Sequence, residues 1–163
     1  MSEKGQSLIE VMVALGVAVI IITAIVMAVV LAVINTQFAK TQNLATYYAR
    51  QGMEVIRQIS NSDWTTFESF SGQYCLNRDV TVPVAKGTDC EKDTINNFKR
   101  EVDFVPPTVS ENNQCEIGST GLFGGHVSVI VSWNDNKCED QNDFCHKVQL
   151  DSCLQNLNAI PTP

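Results

Sequence analysis

From Val11 to Ile34 the chain is apolar at every position except Gly16 and Thr23. A helix over those 24 residues is ~36 Å long, enough to cross a ~30 Å hydrocarbon core with some tilt. A cleaved secretory signal has an apolar core of only about 7–15 residues and a small-residue cleavage site. Asn35-Thr36-Gln37-Phe38 offers no such site, so the stretch reads as a retained transmembrane span over 11–34. Beyond Ile34 the pattern turns amphipathic. Phe38, Ala45, Tyr48, Val55, Ile56 and Ile59 recur near the helical period. No proline occurs before Pro83 and no glycine lies between Gly16 and Gly52. The pattern predicts one helix from about Ser7 to Ser60, ~80 Å long, stopped by Ser60-Asn61-Ser62-Asp63.

After residue 60 the period shortens to two. Val80-Thr81-Val82-Pro83-Val84 alternates, but Pro83 confines it to a sheet edge. Arg100 to Phe104 alternates and is ended by Pro106-Pro107. His126 to Trp133 is the strongest strand, with Val127, Val129, Val131 and Trp133 on one face, and Lys147 to Leu150 is its expected partner across an acidic loop. The helix needs a surface for its apolar face beyond Asn35, and a small antiparallel sheet supplies it. The expected class is α+β: a long N-terminal helix, half transmembrane and half amphipathic, packed on a small head over 61–163.

Composition sharpens this picture. The apolar fraction is 44%, but the run takes so much of it that the head is lean, which excludes an ordinary cytosolic globule. One run alone excludes a polytopic membrane protein. The net charge is −7, and 16 of the 18 acids follow residue 50. The longest basic cluster is Lys99-Arg100 with Glu101 directly after it, so direct nucleic-acid binding is not expected.

Six cysteines, Cys75, Cys90, Cys115, Cys138, Cys145 and Cys153, all follow the run and contain no C-x-x-C pair. Zinc sites usually show such pairs, whereas an even count in an exported head fits disulfides. Free buried thiols are the plainer alternative. Proximity along the chain suggests Cys75–Cys90 and Cys138–Cys145, leaving Cys115–Cys153, out of about 15 possible pairings. Lysines and arginines on both sides of the span leave its orientation open. The cysteines place the C-terminal part on the oxidising side.

The first residues carry the chemistry. Ser7-x-x-Glu10 fits a capping box at a helix start. Yet Glu10 stands at the lipid end of a span, where a carboxylate needs a partner. Lys4-Gly5-Gln6-Ser7-Leu8-Ile9-Glu10-Val11 resembles the prepilin-type leader and N-terminal helix of type IV pilin-like proteins. The resemblance implies cleavage between Gly5 and Gln6 by an inner-membrane prepilin peptidase, which removes residues 1–5 as a leader. It implies methylation of the new amino group on Gln6, and a role for Glu10 in docking subunits into a filament. Gln6 departs from the Phe or Met usual in the family. The absence of proline from the run favours a minor pilin or pseudopilin over a major one. Tyr47 to Arg57, Asn61 to Trp64, and Val129-Ile130-Val131-Ser132-Trp133 are similar to the V-type minor pilins and I-type pseudopilins.

The resemblance implies a structural subunit. No Ser/His/Asp or Cys/His nucleophile arrangement stands out in the residues, so an enzyme is not expected, nor a cofactor or a metal. The subunit's expected partners are the prepilin peptidase, other pilin or pseudopilin subunits, the inner-membrane assembly platform and lipid. Its expected place is a single pass of the inner membrane, N-terminus cytoplasmic and head extracytoplasmic, then a cell-surface filament. Adhesion or motility pili, type II secretion and DNA uptake share this N-terminus. The alternative is a membrane-anchored, disulfide-rich binding module that does not polymerise. Within the run, Ala24, Ala28 and Ala32 form one row of small residues at helical spacing, and Ala14 and Ala18 another. Such rows let helices approach closely in lipid, where no hydrophobic drive joins them, although alanine is common in such runs anyway.

Other candidates are weaker. Asp135, Glu139, Asp140 and Asp143 crowd one loop but lack the order and turn glycine of a calcium loop. His126 and His146 fall near strand ends and could face each other, with plain surface or satisfied histidines the default reading. Gly118, Gly121, Gly124 and Gly125 precede a strand, not the helix a phosphate loop needs.

Overall fold

One helix, α1, runs from Glu3 to Ser62. Its start precedes the expected Ser7, so Ser7 lies inside the helix rather than at its first position. Glu3 and Lys4 are good helix formers, and adding turns to an existing helix is easier than starting one. The computed structural model describes residues 3–76, 83–85, 90, 98–107, 115–117, 122–134, 138 and 144–156. The chain divides into two units, Met1–Thr41 and Gln42–Pro163. The last third of α1, from Gln42 onward, thus belongs with the sheet rather than with the apolar run.

At its C-terminal end α1 meets a second helix rather than a loop. Helix α2 covers Trp64–Glu68. Asp63 joins the two: its N–H donates to the Ile59 carbonyl at 2.9 Å, and its carboxylate caps α2. That carboxylate accepts from the Thr65 hydroxyl at 2.6 Å, from the Thr66 hydroxyl and from the Thr66 N–H at 3.1 Å. These donors, the Thr65 hydroxyl foremost, lower its pKa to about 2.

Among the described residues seven strands follow: β1 Gly72–Cys75, β2 Val84–Ala85, β3 Phe98–Val105, β4 Glu116–Ile117, β5 Leu122–Phe123, β6 Gly125–Trp133 and β7 His146–Leu154. Five form one antiparallel sheet in the order β2-β1-β3-β6-β7, and β4 and β5 pair separately. The class is α+β. β2 sits at the edge beside Pro83, as a proline demands; residues 80–82 of the expected strand lie outside the described residues.

Register assigns the faces. Val102 opposes Val129, which opposes Leu150, and every second residue from these points to the same side. This inner face carries Phe98, Val102 and Phe104 from β3 and Val127, Val129, Val131 and Trp133 from β6, all buried. Ala45, Ala49, Met53 and Ile56 of α1 join the same cluster. Fully burying one Val or Ile contributes roughly 1.5–3 kcal/mol, so this seam is what holds the head together. The outer face is polar: Lys99, Glu101 and Asp103 on β3, and Lys147, Gln149 and Asp151 on β7.

Two glycines set how closely the layers approach. A Cβ at Gly52 would lie 3.1 Å from side-chain atoms of Arg100, Leu76 and Val129. A Cβ at Gly125 would meet the edge of the Phe67 ring, 2.7 Å from Cζ and nearer still to Cε1.

Candidate functional site

In the first unit, α1 holds the Gly5–Gln6 bond in its opening turns. Glu10 is exposed, and so are Ala14, Ala18, Ala24, Ala28 and Ala32. Glu10, Ala14 and Ala18 follow one another at i, i+4 spacing, which places them on one helical face. The large apolar side chains are equally bare: Leu15 is 61% exposed, Ile20 69% and Met27 70%. Thr23 satisfies its hydroxyl within the helix, donating to the Val19 and Ile20 carbonyls at 2.9 Å each. Among the described residues this is the one helix long and apolar enough to cross a membrane, with a peak mean hydropathy of 3.3 and none of that window buried.

In the second unit, the most unusual side chain is Arg100. It stands on the inner face of β3 and is only 4% exposed. Its Nε donates to the Leu76 carbonyl at 3.0 Å. Its Nη1 donates to the Tyr48 carbonyl at 3.1 Å and to Gln51 Oε1 at 3.2 Å. Burial lowers its pKa, with Tyr48 opposing the shift. A guanidinium keeps its charge in any event, so the hydrogen bonds offset its desolvation. Arg100 ties α1, the end of β1 and β3 together directly beneath Gly52. The alternation of R-E-V-D-F was itself a signal, since it sets Arg100 on the same face as Val102 and Phe104, and Gly52, in an otherwise glycine-free stretch of helix, was a second; the sequence reading used neither.

The three disulfides are Cys75–Cys90, Cys115–Cys153 and Cys138–Cys145. Cys75 opposes Glu101 and Cys153 opposes His126, so two of the bridges sit on the outer face, away from α1. The third closes the connection between β6 and β7. Cys138, Cys145 and His146 lie close enough together to share an ion. The bond between the two sulfurs removes both thiolates, and a disulfide is no metal ligand.

The histidines do not face each other. His126 opposes Cys153, and His146 opposes Trp133. They occupy opposite ends of the β6–β7 hairpin. They also lie on opposite faces, because His126 and Trp133 stand an odd number of residues apart along β6. His146 stacks on Trp133 with ring centroids 5.5 Å apart. His126 Nε2 lies 3.8 Å from Asp151 Oδ1. The Gln149 amide donates to both Asp151 oxygens at 3.1 and 3.3 Å. Gln149 first, then Ser128 and His126, hold the Asp151 carboxyl below its usual range. An open cleft of about 240 Å³ is lined by Arg57, Ser60, Asn61, Cys153, Leu154 and Gln155. The Arg57 guanidinium reaches Ser152 Oγ beside it at 3.4 Å. The acidic loop with Asp135, Glu139, Asp140 and Asp143, and Gly118 and Gly121, lie outside the described residues.

A long apolar N-terminal helix whose later turns pack on a small antiparallel sheet is a pilin-like architecture. Comparison with protein-family models, with curated proteins and with solved structures returns no match for this chain.

Proposed function

We propose that the chain is a structural subunit, a minor pilin or pseudopilin, of a type IV pilus-like filament. Prepilin peptidase cuts it between Gly5 and Gln6 and methylates the new amino group. It rests in the inner membrane as a single span, N-terminus cytoplasmic and head extracytoplasmic, and the assembly platform then moves it into a filament. The observation that carries this reading is the run Gly5-Gln6 to Glu10 opening a helix with a bare apolar surface. The same helix ends in a disulfide-tied α+β head.

Glu10 is the residue whose presence a plain anchor does not explain. A carboxylate in lipid costs a few kcal/mol at mid-depth, less near the end. Docking against other helices takes it further from water. The α-amino group of a processed Gln6 is a cation of the right size, created next to the site where it is needed. Pairing with it selects one docked position out of the many an apolar helix would accept.

Intact mass of the protein from membranes or sheared filaments tests the reading. Loss of Met1 to Gly5 and one added methyl group are expected. Glu10→Val and Glu10→Gln should stay processed and membrane-bound yet be scarce in filaments by immunogold count. Unprocessed chain in assembled filaments, or normal incorporation of both variants, overturns the proposal. Full-length protein that never enters a filament supports the non-polymerising binding module instead.

A further inference from the structure

The five-stranded sheet ends on β7, whose outer edge from Lys147 to Leu154 meets no other strand among the described residues. β7 spans His146–Leu154 and pairs with β6 on its other side. The N–H and C=O groups along the outer edge form a template for another strand. Proteins usually blunt such an edge by shortening it, or with proline, a bulge, or charged side chains, and of these β7 has only the charges of Lys147 and Asp151. β2, at the opposite edge, is two residues long and preceded by Pro83. β7 is nine residues long, without proline, and pairs with β6 in unbroken register from Gly125–Leu154 to Trp133–His146.

The sequence of β7 says what fits there. Around Gln149 it reads Lys147-Val148-Gln149-Leu150-Asp151: cation, apolar, amide, apolar, anion. An antiparallel copy centred on Gln149 sets Lys147 opposite Asp151 twice, on the outer face. It sets Val148 opposite Leu150 twice, on the inner face, where both are already partly buried against the core. Gln149 meets itself on the axis. Opposite charges directly across a strand pair attract, and like charges repel. The pleat keeps every pair on its proper face, since opposed residues share a side. We infer that the β7 edge is a self-complementary docking surface for a second copy of this chain, joining two heads by a twofold axis into one continuous ten-stranded sheet.

The contact is isologous, the same patch on both partners. The axis stands normal to the sheet, so both copies of residues 42–62 lie on one face and run in opposite directions. One strand edge is small beside the ~800 Å² per partner of a standard stable interface. The pairing is therefore weak and concentration-dependent, and because the two 42–62 segments run oppositely it joins heads on separate, oppositely directed filaments or surfaces rather than neighbours within one. It concerns the head alone and does not depend on processing at Gly5 or on Glu10.

The test is the mass of the full chain in detergent, by light scattering over a hundredfold range of concentration. The wild type should pass from monomer to dimer. Lys147→Asp sets two acids against Asp151 and should weaken the dimer by about tenfold or more. Asp151→Lys should do the same with two cations. Mixing the two single variants restores both pairs and should return the dimer, as should the double exchange Lys147→Asp with Asp151→Lys. Unchanged circular dichroism and absence of free thiols confirm that each variant is folded. A wild type that stays monomeric throughout overturns the inference. So does a dimer insensitive to the single exchanges, which would place the contact in the span. Failure of the mixture to dimerise where the wild type does rejects the Gln149-centred register.

Discussion

Gly125 and Phe67 give the sharpest test of the head's packing. A Cβ at residue 125 falls 2.7 Å from Phe67 Cζ, with Cε1 nearer still. The ring has to retreat about 1 Å to reach the ~3.5 Å at which carbon pairs cease to repel. It has nowhere to go. Phe67 is 2% exposed, with the Trp64 ring centroid 4.9 Å away and that of Phe104 6.1 Å away. The extra methyl must push either α2 or the first residue of β6. Overpacking of this kind costs about 1–3 kcal/mol. Taking about 2 kcal/mol, the melting temperature of a unit this size should fall by about 6–10 °C. Thermal unfolding of oxidised full-length protein in detergent, followed by near-ultraviolet circular dichroism, reads this directly. Because the clash is with one ring, it should be relieved by shrinking that ring. Phe67→Leu should cost clearly less in the Gly125→Ala background than in the wild type, a coupling of about 1–2 kcal/mol. Strict additivity of the two substitutions, or a Gly125→Ala protein as stable as wild type, would refute the close approach of α2 to β6.

The bridges should rank by the length of chain they close. Cys115–Cys153, Cys75–Cys90 and Cys138–Cys145 have separations of 38, 15 and 7, so paired Cys→Ser substitutions should cost about 4, 3 and 2.5 kcal/mol by loop entropy. Urea unfolding of the three double variants checks the order, and a reversed order defeats the argument. Asp63 should leave an acid-side signature. Its folded pKa of about 2 lies below the ordinary aspartate value of 3.8. The unfolded chain therefore binds the proton first, and the contribution is whole above about pH 4 and lost as pH falls toward 2. Asp63→Asn should flatten that part of the stability–pH curve, and an unchanged slope between pH 4 and 2 would show that the cap carries no such linkage.

Periodicity made the long elements legible. The apolar run and the helical spacing after it marked α1. Strict alternation over Val127, Val129, Val131 and Trp133 marked β6, with Lys147 to Leu150 expected beside it, while the place of β3 on its other side was not read. Short elements left no such trace. β1 is Gly72-Gln73-Tyr74-Cys75, too brief to show a period, and it forms because β3 offers it an edge. Ser60 to Asp63 looked like a stop, and the cap chemistry of Asp63 was present in the letters. Only tertiary packing of Phe67 turned that stop into a second helix. The histidines were misplaced because register depends on where a connection closes, and sequence alone did not fix how far β7 slides along β6. Glu10 and the alanine rows could be named from spacing, since a helix determines its own faces. The side of β3 that carries Arg100 followed from its alternation with Val102 and Phe104, but its partners, the Leu76 and Tyr48 carbonyls and Gln51, did not, because they depend on how the two layers meet.

The position of β7 has a further consequence, in the order of synthesis. Among the described residues it is the last strand to be made, yet the head depends on it twice. It covers one edge of β6, and it brings Cys153 to Cys115. A growing chain adds about 5–20 residues per second. Cys115 therefore waits on the order of 2–8 s for the residues that separate it from its partner. Through that interval Cys115 lacks its partner and β6 is bare along one side. A chain cut short before His146 would keep both features permanently. It would offer an odd cysteine to any oxidoreductase and an open strand to any neighbour. Completion of the final strand thus separates a finished head, with its sixth cysteine paired and β6 covered, from a truncated one.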